Sequence, residues 1–365
     1  MATVTTMTTE IVVCGQITLD IIPDLSRVPL TNLQIPGSFS PSGSLRIAAG
    51  GCVGNTGIAL HKLGANVRLM AYVGNDMAGS LLREAVEAHC PSLGQGIGIK
   101  HGGDSPYTIV LSPSHVDRMF LHSAGLNHSF GINDIEFSSL TLRSIFHFGY
   151  PTVLPRMYAD NGIELSDIMR IAREHGAITS MDLSMPNVAP EAQPDWRRLL
   201  RVVLPYVDIF IPSLEELVFM LRPAAFNSSF STTIDRSFLE SLVDELLYYG
   251  VAIGGIKLGE GGMIVKASDQ KHLEAIGVSG SISGDMIYQP AYEVVVSGTT
   301  GAGDCAYAGL LYALATGANL ETAAKFACAV AAHSVESPES AVGMPPAEVI
   351  RERVISGWRT LPPIF

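Results

Sequence analysis

The stretch that decides the fold is GTTGAGD, residues 298–304, running directly into CAYAGLLYALATG. The run YEVVV from Tyr292 is β-branched and apolar, so it is expected to form a strand feeding this glycine-rich turn, and the turn opens a helix. Backbone N–H groups and the positive helix end then point into one small space, which suits an anion. During phosphoryl transfer the charge spreads over the oxygens of the moving group. Preorganised N–H donors from Gly301, Ala302 and Gly303 would stabilise it there. Asp304 stands where a base accepts the proton of an attacking hydroxyl. Taken alone, the motif is an even choice between this role and a tight connection whose acidic first turn favours the helix dipole.

Gly301, Gly303 and Ala306 also match the G-x-G-x-x-A spacing of a dinucleotide fold. That fingerprint needs a strand with an acidic residue soon after its helix. Here two Ala-rich helices, roughly 303–315 and 320–335, follow one another, which disfavours a dinucleotide-dependent oxidoreductase.

Working outward, short β-branched runs alternate with helical patterns: IVVCG from Ile11, VRLMAYVG from Val67, SIFHFGY from Ser144, AITSMD from Ala177, VDIFIP from Val207 and GGIKLG from Gly254. Such alternation implies crossover units and a mainly parallel sheet covered by helices on both faces. Two stretches break it. Residues 21–47 are rich in Pro, Ser and Gly, and residues 107–122 read as two strands around SPSH, so both are candidates for a small separate sheet.

Two further segments carry polar groups at element ends. AGGCVGN, residues 49–55, runs into a helix, where Gly50 and Gly51 admit close approach to the backbone and Asn55 offers a donor and acceptors to a polyhydroxy compound. GQITLD, residues 15–20, delivers the Asp20 carboxylate to the junction with the first irregular stretch. Each is individually as well explained by a plain helix start and a turn-forming Asp.

Bulk properties narrow the field. The 365 residues are 47% apolar and only 16% charged, the profile of a packed enzyme. A net charge of -12 argues against nucleic acid and anionic membrane surfaces as partners. The five cysteines lack the paired spacing of zinc sites or a disulfide framework, and neither a secretion signal nor a membrane-spanning apolar window is evident. A cytoplasmic location is expected.

In this order and at these separations, AGGCVGN with LG and VGNDMAG (residues 73–79), then TTGAGDCAYAG, resemble the two signatures of the ribokinase-like (PfkB) carbohydrate kinases. The resemblance implies one α/β domain over residues 10–358: a three-layer α/β/α core with a mainly parallel sheet and a small β-sheet lid at about 18–48 and 104–125. It implies an ATP-dependent kinase for a hydroxyl of a sugar or sugar acid, or alternatively of a nucleoside. A non-catalytic sugar-binding relative is the remaining alternative. The implied roles are Asp304 as base with Gly301, Ala302 and Gly303 as anion hole. Asp20, Gly50, Gly51 and Asn55 would contact the acceptor, and Lys257, Gly259, Gly262, Thr300 and Cys328 the nucleotide; Arg118, following Asp117, either reaches the acceptor or holds a hairpin turn. SLEE, residues 213–216, stands where the family has N-x-x-E, so Glu216 is the expected magnesium residue, with Ser213 in place of Asn. Gly298 replaces an Asp of the family's monovalent-cation loop, which leaves potassium dependence open. The lid implies a homodimer. Few basic residues in the lid favour an unphosphorylated acceptor.

Overall fold

The computed structural model describes residues 9–114, 119–186, 193–227, 235–278, 284–337 and 341–365. Nine strands form one sheet: β1 (Glu10–Gly15), β4 (Asn66–Gly74), β5 (Ile97–Lys100), β8 (Ile145–Gly149), β9 (Ile178–Asp182), β10 (Ile209–Phe210), β11 (Ile253–Lys257), β12 (Met263–Ala267) and β13 (Ile287–Gln289). Their spatial order is β13-β12-β11-β10-β9-β8-β1-β4-β5. Every pairing from β5 across to β11 is parallel, and only β12 is reversed, pairing antiparallel with β11 and β13. Successive residues of β1 alternate between two cores: Ile11 and Val13 face one, Val12 and Cys14 the other. A strand buried on both sides is mostly apolar, which is why IVVCG reads as an unbroken apolar run, whereas β8 and β9 bury His147, Thr179 and Ser180 as polar exceptions.

The first core is covered by the helices Gly51–Leu63, Ala302–Ala315 and Leu320–Val335. The second is covered by Ile163–Glu174, Trp196–Val203, Leu214–Leu221 and Arg236–Tyr248. The result is the expected three-layer α/β/α core. Helix Ala302–Ala315 is buried from Asp304 to Leu314, and Gly309 admits Val330 of the neighbouring helix so closely that a methyl at 309 would touch its side chain. Small residues therefore let these two helices approach.

A second sheet is built from β2 (Thr18–Pro23), β3 (Leu45–Gly50), β6 (Tyr107–Leu111) and β7 (Met119–Ser123), in the order β3-β2-β6-β7. β3 runs directly into helix Gly51–Leu63, so this sheet hangs from the carboxyl end of the large one.

One expectation fails. YEVVV is not a sheet strand: β13 ends at Gln289, and beyond it Val295 and Val296 are 83% and 59% exposed. Pro290, lacking an N–H, interrupts the ladder. The last residues of the chain take over what pairing remains, through a Tyr292–Thr360 bridge and a Leu361 N–H to Ala291 C=O bond of 2.8 Å.

Candidate active site

Helix Ala302–Ala315 begins at Gly301, whose φ of 73° is a left-handed conformation natural to glycine. The first turn of a helix leaves N–H groups without intrahelical partners, and here they lie at the carboxyl edge of a parallel sheet, where such folds place their ligands. Ala302 N–H is already engaged by Thr299 C=O at 3.2 Å. That leaves Gly301 and Gly303 as the better-placed donors of the predicted trio.

Asp304 lies one turn into this helix and is 2% exposed. Three side chains from two other elements donate to it. Asn55 Nδ2 reaches Oδ2 at 3.0 Å and Thr56 Oγ1 reaches Oδ1 at 3.2 Å, both from helix Gly51–Leu63. Tyr150 OH, just beyond β8, lies 2.8 Å from Oδ1 and 2.7 Å from Oδ2. Burial pushes the Asp304 carboxyl above its ordinary range, and the Tyr150 bond, the Lys257 charge and the Asn55 and Thr56 bonds pull it back. The site thus holds an ionisable oxygen pair, preorganised and dry.

Asp20 of β2 joins the same region through Gly50, the N-cap of the helix that carries Asn55. A methyl at Gly50 would collide with the Asp20 carboxylate. Burial alone raises Asp20 to about 7. Gly51, at φ 75°, packs against the Gln16 amide, whose Oε1 is buried and has no partner among the described residues. Asp20, Gly50, Gly51, Asn55 and Asp304 therefore form one continuous surface. Arg118 lies outside the described residues.

The nucleotide candidates divide into two groups. Lys257 is buried at the end of β11, and its ammonium lies 2.7 Å from both oxygens of Asp182 at the end of β9. Its Nζ would be 3.5 Å from a Cβ at Gly303, so the pair sits directly under the start of the helix. Although burial opposes its charge, Asp182 and then Glu216 hold the Lys257 ammonium above its ordinary value. Gly259 and Gly262 shape the turn after β11, where Gly262 closes against Gln289 C=O. The Cys328 thiol, raised to about 12 by burial, meets the same carbonyl at 3.7 Å. Thr300 is exposed in the turn before the helix.

Glu216 forms a capping box with Ser213. Its Oε2 accepts from Ser213 N–H at 2.9 Å, and Ser213 Oγ accepts from Glu216 N–H at 3.4 Å. This explains how Ser serves at the position where Asn was expected. No group of three or more metal-ligating side chains occurs among the described residues. Magnesium, which keeps several waters and leans on substrate phosphates, needs only one or two carboxylates. The hard oxygen of Glu216, whose charge is felt by Asp182 and Lys257, fits that requirement.

Two participants escaped the sequence reading: Thr56 bonds Asp304 and Asp182 neutralises Lys257, while Tyr150, the last residue of SIFHFGY, bonds Asp304 as well. Asp182 did leave a signal, as the final acid of AITSMD at the carboxyl end of a parallel strand.

No helix among the described residues is long and apolar enough to cross a membrane. A pfkB family carbohydrate kinase profile matches residues 159–347. An uncharacterized sugar kinase of Archaeoglobus fulgidus is 24% identical over 289 residues, covering 79% of this chain and 98% of that protein. Among solved structures, the ribokinase of Arabidopsis thaliana complexed with ribose and ATP is 20% identical with a TM-score of 0.69, covering 95% of this chain and 98% of its own. The nucleoside kinase of Methanocaldococcus jannaschii, 18% identical, gives a TM-score of 0.65 over 95% and 98% of the two chains. The fold is that of the ribokinases, and with the profile covering more than half of its length the chain belongs to the pfkB family of carbohydrate kinases.

Proposed function

We propose that the chain transfers the terminal phosphoryl group of ATP to a hydroxyl of a small sugar or sugar acid, with Asp304 as the base. The observation that carries this reading is the position of Asp304: buried, held by Asn55, Thr56 and Tyr150, and one turn from a glycine-capped helix start. Asp304 takes the proton of the attacking oxygen, and the N–H groups of Gly301 and Gly303 face the charge of the moving group. Lys257, neutralised by Asp182 yet adjacent to Gly303, supports that charge from beneath. Asp20, Gly50, Gly51 and Asn55 form the acceptor surface. The turn at Gly259 and Gly262, with Thr300 and Cys328, borders the nucleotide. Glu216 would hold magnesium, which would supply positive charge to the phosphates.

Asp304→Asn tests the assignment. Phosphate transfer is expected to fall by a factor on the order of 10³ or more, with ADP binding by calorimetry retained. Undiminished transfer would remove Asp304 from its role. A thermal-shift panel of pentoses, hexoses, sugar acids and nucleosides identifies the acceptor class, because a ligand of the folded state raises its stability by mass action. Stabilisation by nucleosides alone would replace the sugar reading. The small sheet, with its exposed edge strands β3 and β7, is proposed as a lid through which two copies pair. Light scattering that returns a monomer at working concentration overturns the pairing.

A further inference from the structure

Tyr150 is the odd feature of this site. Its hydroxyl places a single proton between both oxygens of Asp304, at 2.8 and 2.7 Å, one of the positions from which an alcohol can give its proton to that carboxylate. Burial, and then the Asp304 charge, drive the phenol well above its ordinary value, so it stays protonated and acts only as a donor. Its backbone is left-handed, with φ 61° and ψ 45°, a conformation uncommon for an aromatic residue and one that carries strain. Two neighbours fix that conformation: Tyr150 N–H is bonded to Asp182 C=O at 3.0 Å, and Pro151 follows directly. The other two donors, Asn55 and Thr56, come from a well-packed helix and contact one oxygen each. Tyr150 is therefore the donor whose departure frees both oxygens at once.

Resting on the assignment of Asp304 as base, we propose that Tyr150 is a positioning residue that discriminates among acceptors by occupying the acceptor's place. Its phenol covers the base until an alcohol with enough further contacts, at Asp20, Gly50 and Asn55, displaces it. In the reaction that follows, the acceptor oxygen forms a bond to the γ-phosphorus of ATP and its proton passes to Asp304. The bond between that phosphorus and the β-γ bridging oxygen breaks, and ADP leaves with the electron pair. Water has no further contacts with which to displace the phenol, so ATP is protected from hydrolysis while no acceptor is bound.

The test needs no knowledge of the acceptor. ATP hydrolysis by the purified protein with magnesium and no sugar is measured as a function of pH for wild type, Tyr150→Phe, Asp304→Asn and the double variant, with Tyr150→Asn as a second replacement that tolerates the left-handed backbone. Since a hydrogen bond to a charged group is worth about tenfold or more, hydrolysis by Tyr150→Phe and Tyr150→Asn is expected to rise by about that factor. The acid limb of the profile is also expected to move upward, because a bond favouring the ionised Asp304 is lost. Unchanged or slower hydrolysis in both variants, with melting temperatures preserved, overturns the proposal. A rise that survives Asp304→Asn shows instead that the chemistry does not run through Asp304, which is a failure of the underlying assignment and not of Tyr150.

Discussion

Lys257→Met gives the most direct measure of how dry the floor of this site is. The Lys257 ammonium lies 2.7 Å from both oxygens of Asp182, whose side chain is 1% exposed against 11% for Lys257. Removing the cation leaves an uncompensated carboxylate with no route to water. Breaking a buried pair in this way costs about 3–5 kcal/mol, several times the value of a surface pair. For a chain of this size that corresponds to a drop in melting temperature of about 4–7 °C. The loss reflects desolvation of one charge and not the strength of the pair, so Asp182→Asn combined with Lys257→Met is expected to recover most of it. Urea titrations of the wild type, both single variants and the double variant close the cycle. A loss below about 1 kcal/mol in Lys257→Met would mean that solvent reaches Asp182. The floor beneath Gly303 would then not be the low-dielectric surface that makes a fixed charge effective against a moving phosphoryl group.

Other consequences concern the acceptor side and the metal. Asp20 is raised from 3.8 to about 7 by burial, so the folded state holds its proton more tightly than the unfolded chain. Stability is therefore lost as pH rises through that interval, and Asp20→Asn is expected to gain on wild type in urea at about pH 8 and not at about pH 4. Gly50→Ala drives a methyl into the Asp20 carboxylate. The expected result is an acceptor KM raised about tenfold with kcat less affected, and an unchanged KM would separate Asp20 from the acceptor. Glu216→Gln keeps an acceptor for the capping box while removing the charge, and is expected to raise the magnesium concentration needed for half-maximal activity. An unaltered requirement leaves Glu216 a purely structural cap.

The sheet core was legible because burial on two faces favours apolar residues along a parallel strand, and β1, β4, β8, β9 and β11 are dominated by them although His147, Thr179, Ser180, Asp182 and Lys257 are buried polar exceptions. YEVVV has the same composition but not the same setting. Its valines lie outside the sheet, beyond a proline that cannot extend the ladder, and no local pattern distinguishes the two situations. Asp304 and Asn55 could be singled out because each follows glycines at a helix start, and Asp20 as the last residue of GQITLD, although the structure places it inside β2. Their convergence could not, since Asn55 and Asp304 are 249 residues apart in sequence. Tyr150 stands in the sequence only as the residue that follows SIFHFG. Its left-handed backbone, with the phenol bonded to Asp304, goes with long-range contacts such as the bond to Asp182 and not with its own preference.

The charges of the site follow from this topology. Parallel strands all end on one edge, so Asp182 on β9 and Lys257 on β11 meet there although 75 residues separate them. A lone ammonium in this position would be driven toward neutrality by burial, and a lone carboxylate likewise. Together each offsets the other's burial: Asp182 holds the Lys257 ammonium above its ordinary value, although burial still raises the Asp182 carboxyl to about 7, and a cation persists beneath Gly303 even where water is excluded. Asp304 depends on neutral donors instead, which favour its ionised form without pairing it to a full positive charge. A carboxylate locked to a lysine makes a poor proton acceptor, whereas one held by an amide and two hydroxyls remains a usable base once a hydroxyl gives way.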